Sequence, residues 1–394
     1  MKKIVYFIFA SIFSVFLFSC HGIIFDEIRN EVELDDAKVS GQIKSIVRYS
    51  YDCDSDDEKE ECVFTATGKI YYRNISSTEN SSGEEVSKFA DSIASKKIGF
   101  SSFSKPSSGR VLSLAADKTY LYALVADVET DDDDDTNGTT TRQIWSFNGS
   151  EWTQIVTTAY SSSYDFVLFC TNSPKNENRK AYFRYGSKVY ELSGSTKIDV
   201  EDESQGGYVY VNGDSSYIGT YTQTEDSSST ALEVKSCAIL NGTVYFSSEP
   251  SLVSDETETE DDDASYLYFG NSDDVYYSED GSDWSSVDLD CSTICSLGVT
   301  DTYLLIGTSD GIAHILLSTL KGGASSASTT SFDNNAASAL SSYYKVPAIL
   351  VVNPALDETS GTIFASSITS STSASLNNVG LWSYFSSEGK WNRE

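Results

Sequence analysis

The stretch Val275-Tyr276-Tyr277-Ser278-Glu279-Asp280-Gly281-Ser282-Asp283-Trp284 constrains this chain more than any other. An apolar, aromatic run meets an acidic turn containing glycine, and a tryptophan opens the run that follows. Variants recur at Ile144-Trp145-Ser146-Phe147-Asn148-Gly149-Ser150-Glu151-Trp152 and at Leu381-Trp382-Ser383-Tyr384, followed by Gly389-Lys390-Trp391; a weaker copy spans 189–194. A unit that returns at long intervals marks a repeat architecture, in which each copy buries its apolar face against its neighbours. A second pattern lies beside the first. Runs of small residues at 110–114, 234–239, 293–297 and 347–351 each lead through a polar turn into an aromatic-rich run, at 120–124, 243–246, 302–307 and 361–365. Each pair reads as a β-hairpin.

Residues 110–157 give the fullest unit, with four strand-like runs at 111–114, 120–126, 143–147 and 152–156. Four antiparallel strands repeated radially make a propeller blade. The expected fold is therefore all-β, a β-propeller of about seven four-stranded blades, with six to eight as the range. The units fall near 44–105, 110–157, 165–200, 207–233, 234–289, 292–335 and 338–394, the one at 207–233 being poorly formed. Composition supports a packed β structure: 39% hydrophobic and 12% aromatic residues, with 25 Tyr and 19 Phe, are enough apolar material for a large core. One segment breaks the pattern. Ser82 and Glu85 form a capping box, and Val86, Phe89, Ala90, Ile93 and Ala94 recur at helical spacing, which predicts a short helix over 82–97. Residues 321–342 are rich in Ser and Ala and read as a loop.

Charge narrows the partners. With 27 Lys plus Arg against 59 Asp plus Glu, the net charge is -32. That excludes nucleic acid as the expected partner, because phosphates are bound by displacing counterions with Lys and Arg. It also argues against electrostatic docking on anionic lipid. The N-terminus offers another route to a membrane. Met1-Lys2-Lys3 precedes an almost unbroken apolar run from Ile4 to Phe18, shorter than the ~20 residues of a bilayer span and suited to a signal peptide. The run ends in Leu17-Phe18-Ser19-Cys20, which resembles the lipobox of bacterial lipoproteins, with Phe18 departing from its strictest form. The resemblance implies that Cys20 is lipidated and becomes the first mature residue; a plain secretory signal with an incidental Cys is the alternative. The expected organisation is a signal peptide at 1–19, a lipidated N-terminus and acidic tether at 20–43, and the propeller at 44–394. The protein would be exported and held at the envelope, periplasmic or at the cell surface.

An exported chain meets an oxidising compartment, where disulfides are allowed. Cys53 and Cys62 bracket eight mostly acidic residues between two strand-like runs, and are the expected pair. Cys170, Cys237, Cys291 and Cys295 allow three pairings, or stand as unpaired strand residues. With only 2 His in the chain, a Cys/His metal site is not expected.

The repeated turn resembles the Asp-box of sialidase-like and related propellers, Ser-x-Asp-x-Gly-x-x-Trp. Ser278, Asp280 and Trp284 follow that order, while Gly281 stands one residue early. The copies ending at Trp152 and Trp391 lack the Asp. The resemblance implies a structural role for these residues: Asp and Gly close the turn and the Trp packs between blades. It implies no chemistry.

Acidic runs at 131–135 and 255–263, and a hydroxyl-rich run at 366–378, fall between second and third strands and would crown one face. Asp133-x-Asp135-x-Asn137-Gly138 has the alternating oxygen ligands and turn glycine of a calcium loop, with Thr141 at the ninth position; Ile144 stands where a terminal Glu would be needed. Calcium is therefore a candidate ligand, and a solvated acidic loop the plain reading. Enzyme signatures are absent: no Gly-x-Ser-x-Gly, no His-Glu-x-x-His, no P-loop, and no Phe/Tyr-Arg-Ile-Pro of the sialidases. His314, inside Ile312-Ala313-His314-Ile315-Leu316, is expected to be a satisfied strand residue. The expected function is a binding or scaffold module for protein or carbohydrate. The alternative is an Asp-box-type glycosidase working through a carboxylate pair.

Overall fold

Short β-branched and aromatic runs, broken by Gly, Ser and Asp, fold as strands throughout. The computed structural model describes residues 39, 41–52, 59–75, 77–79, 85–87, 100–107, 109–129, 139–159, 166–170, 179–185, 188–200, 207–211, 218–221, 235–240, 243–248, 252–254, 267–271, 273–278, 285–332, 340, 343–353, 362–369, 379–385 and 390–394. The first sheet is built from β1 (Ile46–Tyr51), β2 (Glu60–Ala66) and β3 (Ile70–Asn74). Next come a separate hairpin of β4 (Ser77–Glu79) and β5 (Glu85–Ser87), and then β6 (Ser101–Phe103), which completes the first sheet beside β3. The second sheet runs in sequence order through β7 (Arg110–Ala116), β8 (Leu121–Glu129), β9 (Thr139–Phe147) and β10 (Trp152–Ala159). The third takes β11 (Phe166–Cys170), β12 (Ala181–Tyr185), β13 (Lys188–Leu192), β14 (Gly207–Val211) and β15 (Ile218–Tyr221). A two-stranded fourth sheet pairs β16 (Lys235–Leu240) with β17 (Thr243–Ser248). The fifth holds β18 (Leu252–Ser254), β19 (Leu267–Asn271), β20 (Asp274–Ser278) and β21 (Ser285–Leu289).

The sixth sheet is β22 (Ile294–Val299), β23 (Tyr303–Thr308) and β24 (Gly311–Leu316), followed by a single helical turn, α1 (Leu317–Leu320). Then β25 (Ser326–Ala327) crosses back to lie parallel on β21, and β26 (Thr330–Ser331) returns to pair with β24. The last sheet comprises β27 (Tyr344–Lys345), β28 (Ile349–Asn353), β29 (Thr362–Thr369), β30 (Gly380–Phe385) and β31 (Lys390–Arg393).

Several expectations change. The stretch 234–289, read as one unit, divides between the two-stranded β16–β17 sheet and the sheet that begins at β18. The helix read over 82–97 is not formed at Glu85–Ser87, which is strand β5, with Thr78 opposite Val86; cross-strand pairing overrides the helical spacing there. Residues 207–221 do not make a sheet of their own, because β14 hydrogen-bonds to β13 and extends the third sheet. The Ser/Ala-rich stretch after residue 321 contains β25 and β26 rather than loop alone.

Within the compact unit Lys38–Asn392 with Glu394, sheets touch in chain order. β1 and β2 pack on β7, β7 on β11 and β12, β14 and β15 on β17, β16 and β17 on β19, β18 and β19 on β22, β22 on β28, and β28 and β29 on β1. An apolar layer fills the described seams. Phe64 and Val47 meet Leu114 and Ala123 between the first two sheets, and Val63 and Ile46 meet Leu350 and Phe364 between first and last. Each Phe, Val, Ile or Leu among them contributes about 1.5–3 kcal/mol on full burial. The innermost contacts are tight. On β22, Ser296 Oγ donates to the carbonyl of Val346 at 2.7 Å. A Cβ on Gly307 would lie 2.5 Å from the same carbonyl. Register shifts mark β-bulges in β7 at Val111/Ser113, in β22 at Ile294/Ser296 and in β28 at Val351/Asn353.

Candidate functional site

The described interior gathers arginines. Arg48 lies mid-β1, opposite Val63 of β2, which is opposite Arg73 of β3. Cross-strand partners share a face, here the one packed on the last sheet. Arg48 Nη2 donates to the carbonyls of Val351 at 2.5 Å and Val352 at 2.9 Å. Val352 is the extra residue of the β28 bulge, between Val351 and Asn353, and a bulged residue is left out of the ladder. Glu61, opposite Ser50, lies two residues from Val63 and so on the same face. It accepts both terminal nitrogens of Arg179, at 3.0 and 2.6 Å, from just ahead of β12.

Two guanidiniums and a carboxylate thus join the first, third and last sheets at the ends where first strands turn into second strands. Burial pulls the Arg48 guanidinium down to about 10; Glu61 raises it and Arg179 lowers it. A second clasp lies further out on the same face. Arg73 Nη1 donates to both carboxylate oxygens of Glu394 at 2.9 Å, and Ser383 Oγ donates to Oε1 at 2.6 Å. Burial lowers Arg73 and Glu394 raises it again. Beside it the Val39 amide donates to the Glu394 carbonyl at 3.3 Å. Sequence reasoning missed these pairs because their members stand 118 and 321 residues apart. The available signal was an arginine inside an apolar run of an acidic chain, Ile46-Val47-Arg48-Tyr49 and Ile70-Tyr71-Tyr72-Arg73.

Two seams carry the same aromatic wedge. Between the first and second sheets, Tyr72 meets Phe103 with ring centroids 5.5 Å apart, Phe103 meets Phe147 at 5.2 Å, and Phe147 meets Trp152 at 5.1 Å. Between the sixth and last sheets, His314 meets Phe332 at 5.3 Å, Phe332 meets Tyr384 at 5.1 Å, and Tyr384 meets Trp391 at 5.4 Å. Trp152 and Trp391 are thus counterparts. Trp391 is buried and its indole N–H reaches the Phe332 carbonyl at 3.4 Å. Trp152 is half-buried and its indole N–H reaches Ser104 Oγ at 3.3 Å. His314 takes the place of Tyr72. It is not fully satisfied: Nδ1 is buried without a hydrogen-bond partner. Burial lowers its pKa, and a backbone hydrogen bond with Thr330 raises it in part.

The other sequence-derived sites distribute as follows. Cys20, Cys53, Asp133, Asp135, Asn137, Asp280, Gly281 and Trp284 lie outside the described residues. Cys62 is buried on β2 opposite Tyr49, and Ser278 ends β20. Thr141 lies buried within β9, where its hydroxyl accepts from Gln143 Nε2 at 3.4 Å. Of the hydroxyl-rich run, Ser366 and Ser367 are buried in β29. Cys170 packs between the second and third sheets, away from Cys291 and Cys295 at the start of the sixth.

A comparison with protein-family models finds no match, and a comparison with curated proteins finds none. Among solved structures, the chain is similar to Hsv2 of Kluyveromyces lactis at 10% identity, covering 88% of this chain and 98% of that one with a TM-score of 0.36. It is also similar to the extracellular domain of BT4673 from B. thetaiotaomicron at 10% identity, covering 83% of this chain and 45% of that one with a TM-score of 0.17. Neither likeness is close enough to carry an argument about fold or function.

Proposed function

We propose that this chain is a lipid-anchored β-propeller of about seven blades at the bacterial cell envelope, acting as a binding or scaffold module for a protein or carbohydrate. The anchor reading rests on Leu17-Phe18-Ser19-Cys20. The propeller reading is supported by the order of sheet contacts, in which the last sheet packs on the first. The observation that carries the scaffold reading is the use of interior charge: Glu61 holds Arg179, and Glu394 holds Arg73, each pair linking different sheets. Charges engaged in this way fix a rigid frame and leave specificity to the surface loops.

A second reading, a carbohydrate-active enzyme of the Asp-box type, draws on Arg48 and Arg179 both lying close to Glu61, since a sialidase needs an arginine cluster. Fluorogenic glycosides, sialosides included, separate the two. The binding module gives no turnover, and turnover abolished by Glu61→Gln would replace it with the enzyme. Lipidation is tested with Cys20→Ala. The precursor should remain unlabelled by metabolic palmitate, and labelling that persists in this variant would refute the anchor.

A further inference from the structure

The two aromatic wedges differ at one position. Where the first has Tyr72, the second has His314, set edge-on to Tyr303 at 4.8 Å and to Phe332 at 5.3 Å. A phenol stays neutral across the physiological range and an imidazole does not. Neutral His314 fits the seam as an aromatic plate, leaving only the bare Nδ1 lone pair without a partner. Protonation puts a hydrogen on that buried nitrogen, where no acceptor is present, and a charge on a half-buried ring set against Tyr303 and Phe332 and opposite Leu305. Both changes disfavour the closed seam.

The groups around it offer no compensating anion among the described residues. Tyr303 faces it from β23, and Thr330 lies opposite on β26. Beyond Phe332 stand Tyr384 of β30 and Trp391 of β31. Asp301 precedes β23, and Lys390 and Arg393 lie on β31, but the influences on His314 are burial and the Thr330 backbone.

We propose that His314 makes the seam between the β22–β24 sheet and the β28–β31 sheet acid-labile, an on-board pH sensor that the matching Tyr72 seam lacks. The sign follows from burial. The folded-state pKa lies below the unfolded value near 6.5, so the unfolded or opened form binds the proton more tightly. Stability is full above pH ~6.5, falls as pH drops below that value, and stops falling below the folded pKa. Each unit between the two pKa values makes opening about tenfold more favourable at acid pH.

The test compares the full chain with His314→Tyr, which copies the other wedge. Hydrogen exchange at pH 7.5 and pH 5, corrected for intrinsic rates, should show β24, β30 and β31 losing protection at acid pH in the wild type at least severalfold more than in the variant. The first-sheet strands should respond alike in both. Parallel pH responses in the two proteins would overturn the proposal. Should His314→Tyr fail to fold, imidazole NMR titration of the wild type decides instead. A His314 resonance titrating clearly below 6.5 supports the sensor, and one titrating at or above 6.5 sinks it.

Discussion

Removing the Glu394 carboxylate tests the frame most directly. In Glu394→Ala the Arg73 guanidinium, 3% exposed, loses its bidentate partner, which is itself 12% exposed. Ser383 Oγ loses its acceptor at the same time. Stripping one partner from a buried pair typically costs 3–5 kcal/mol, because the remaining charge stays desolvated. At roughly 2.1 cal/mol/K of unfolding entropy per residue over Lys38–Asn392, this converts to a drop in melting temperature of about 4–7 °C. Differential scanning calorimetry would read it, and raised salt should not erase the difference, since buried pairs are screened little. Glu394→Gln, which keeps the shape and one acceptor, should lose less. The double variant Arg73→Met with Glu394→Leu should recover most of the loss by exchanging a desolvated pair for apolar contact. A melting temperature for Glu394→Ala within about a degree of wild type would refute the clasp, for it would mean that Arg73 finds water or another partner at no cost.

Three further outcomes follow from named contacts. Trp391→Ala should destabilise by about 3–5 kcal/mol through the cavity it leaves, and Trp152→Ala by clearly less, because Trp152 is half-buried; chemical denaturation of the two variants side by side gives the order. Gly307→Ala should cost about 1–3 kcal/mol, since the new methyl would press on the Val346 carbonyl and Ser296; an unchanged unfolding midpoint would mean that the sixth and last sheets are not in close contact there. The Cys291 thiol, pushed up to about 12 by burial and then by Asp273 and its neighbours, should resist alkylation at neutral pH in the folded chain and react freely in denaturant, as a timed iodoacetamide assay would show.

Strand existence was legible in the sequence wherever polarity and turn chemistry agreed. Residues 110–157 predict four strands, and β7 to β10 occupy them with ends displaced by a few residues. Legibility failed where identity depends on a distant partner. Nothing local says whether Gly207–Val211 begins a new sheet or extends an old one; Lys188 and Val189 on β13 decide it. Val86 fits both a helix face and a strand, and Thr78 decides. The interior ion pairs were hidden for the same reason, since a sequence displays Arg73 and Arg179 as isolated cations. The tryptophans were the better guide: the Trp152 and Trp391 copies of the repeat do occupy matching places in two seams.

The excursion of β25 has a bearing on biosynthesis. Asp288 and Leu289 sit on an edge that is completed only by Ser326 and Ala327, after β22, β23 and β24 have already been laid down. A chain emerging N-terminus first therefore holds an open strand edge on the fifth sheet through the synthesis of almost the whole sixth, and open edges invite wrong partners. The fifth and sixth units mature together rather than one after the other. They are not interchangeable cassettes: excising either one, or grafting it elsewhere, separates β21 from the short strand that seals it.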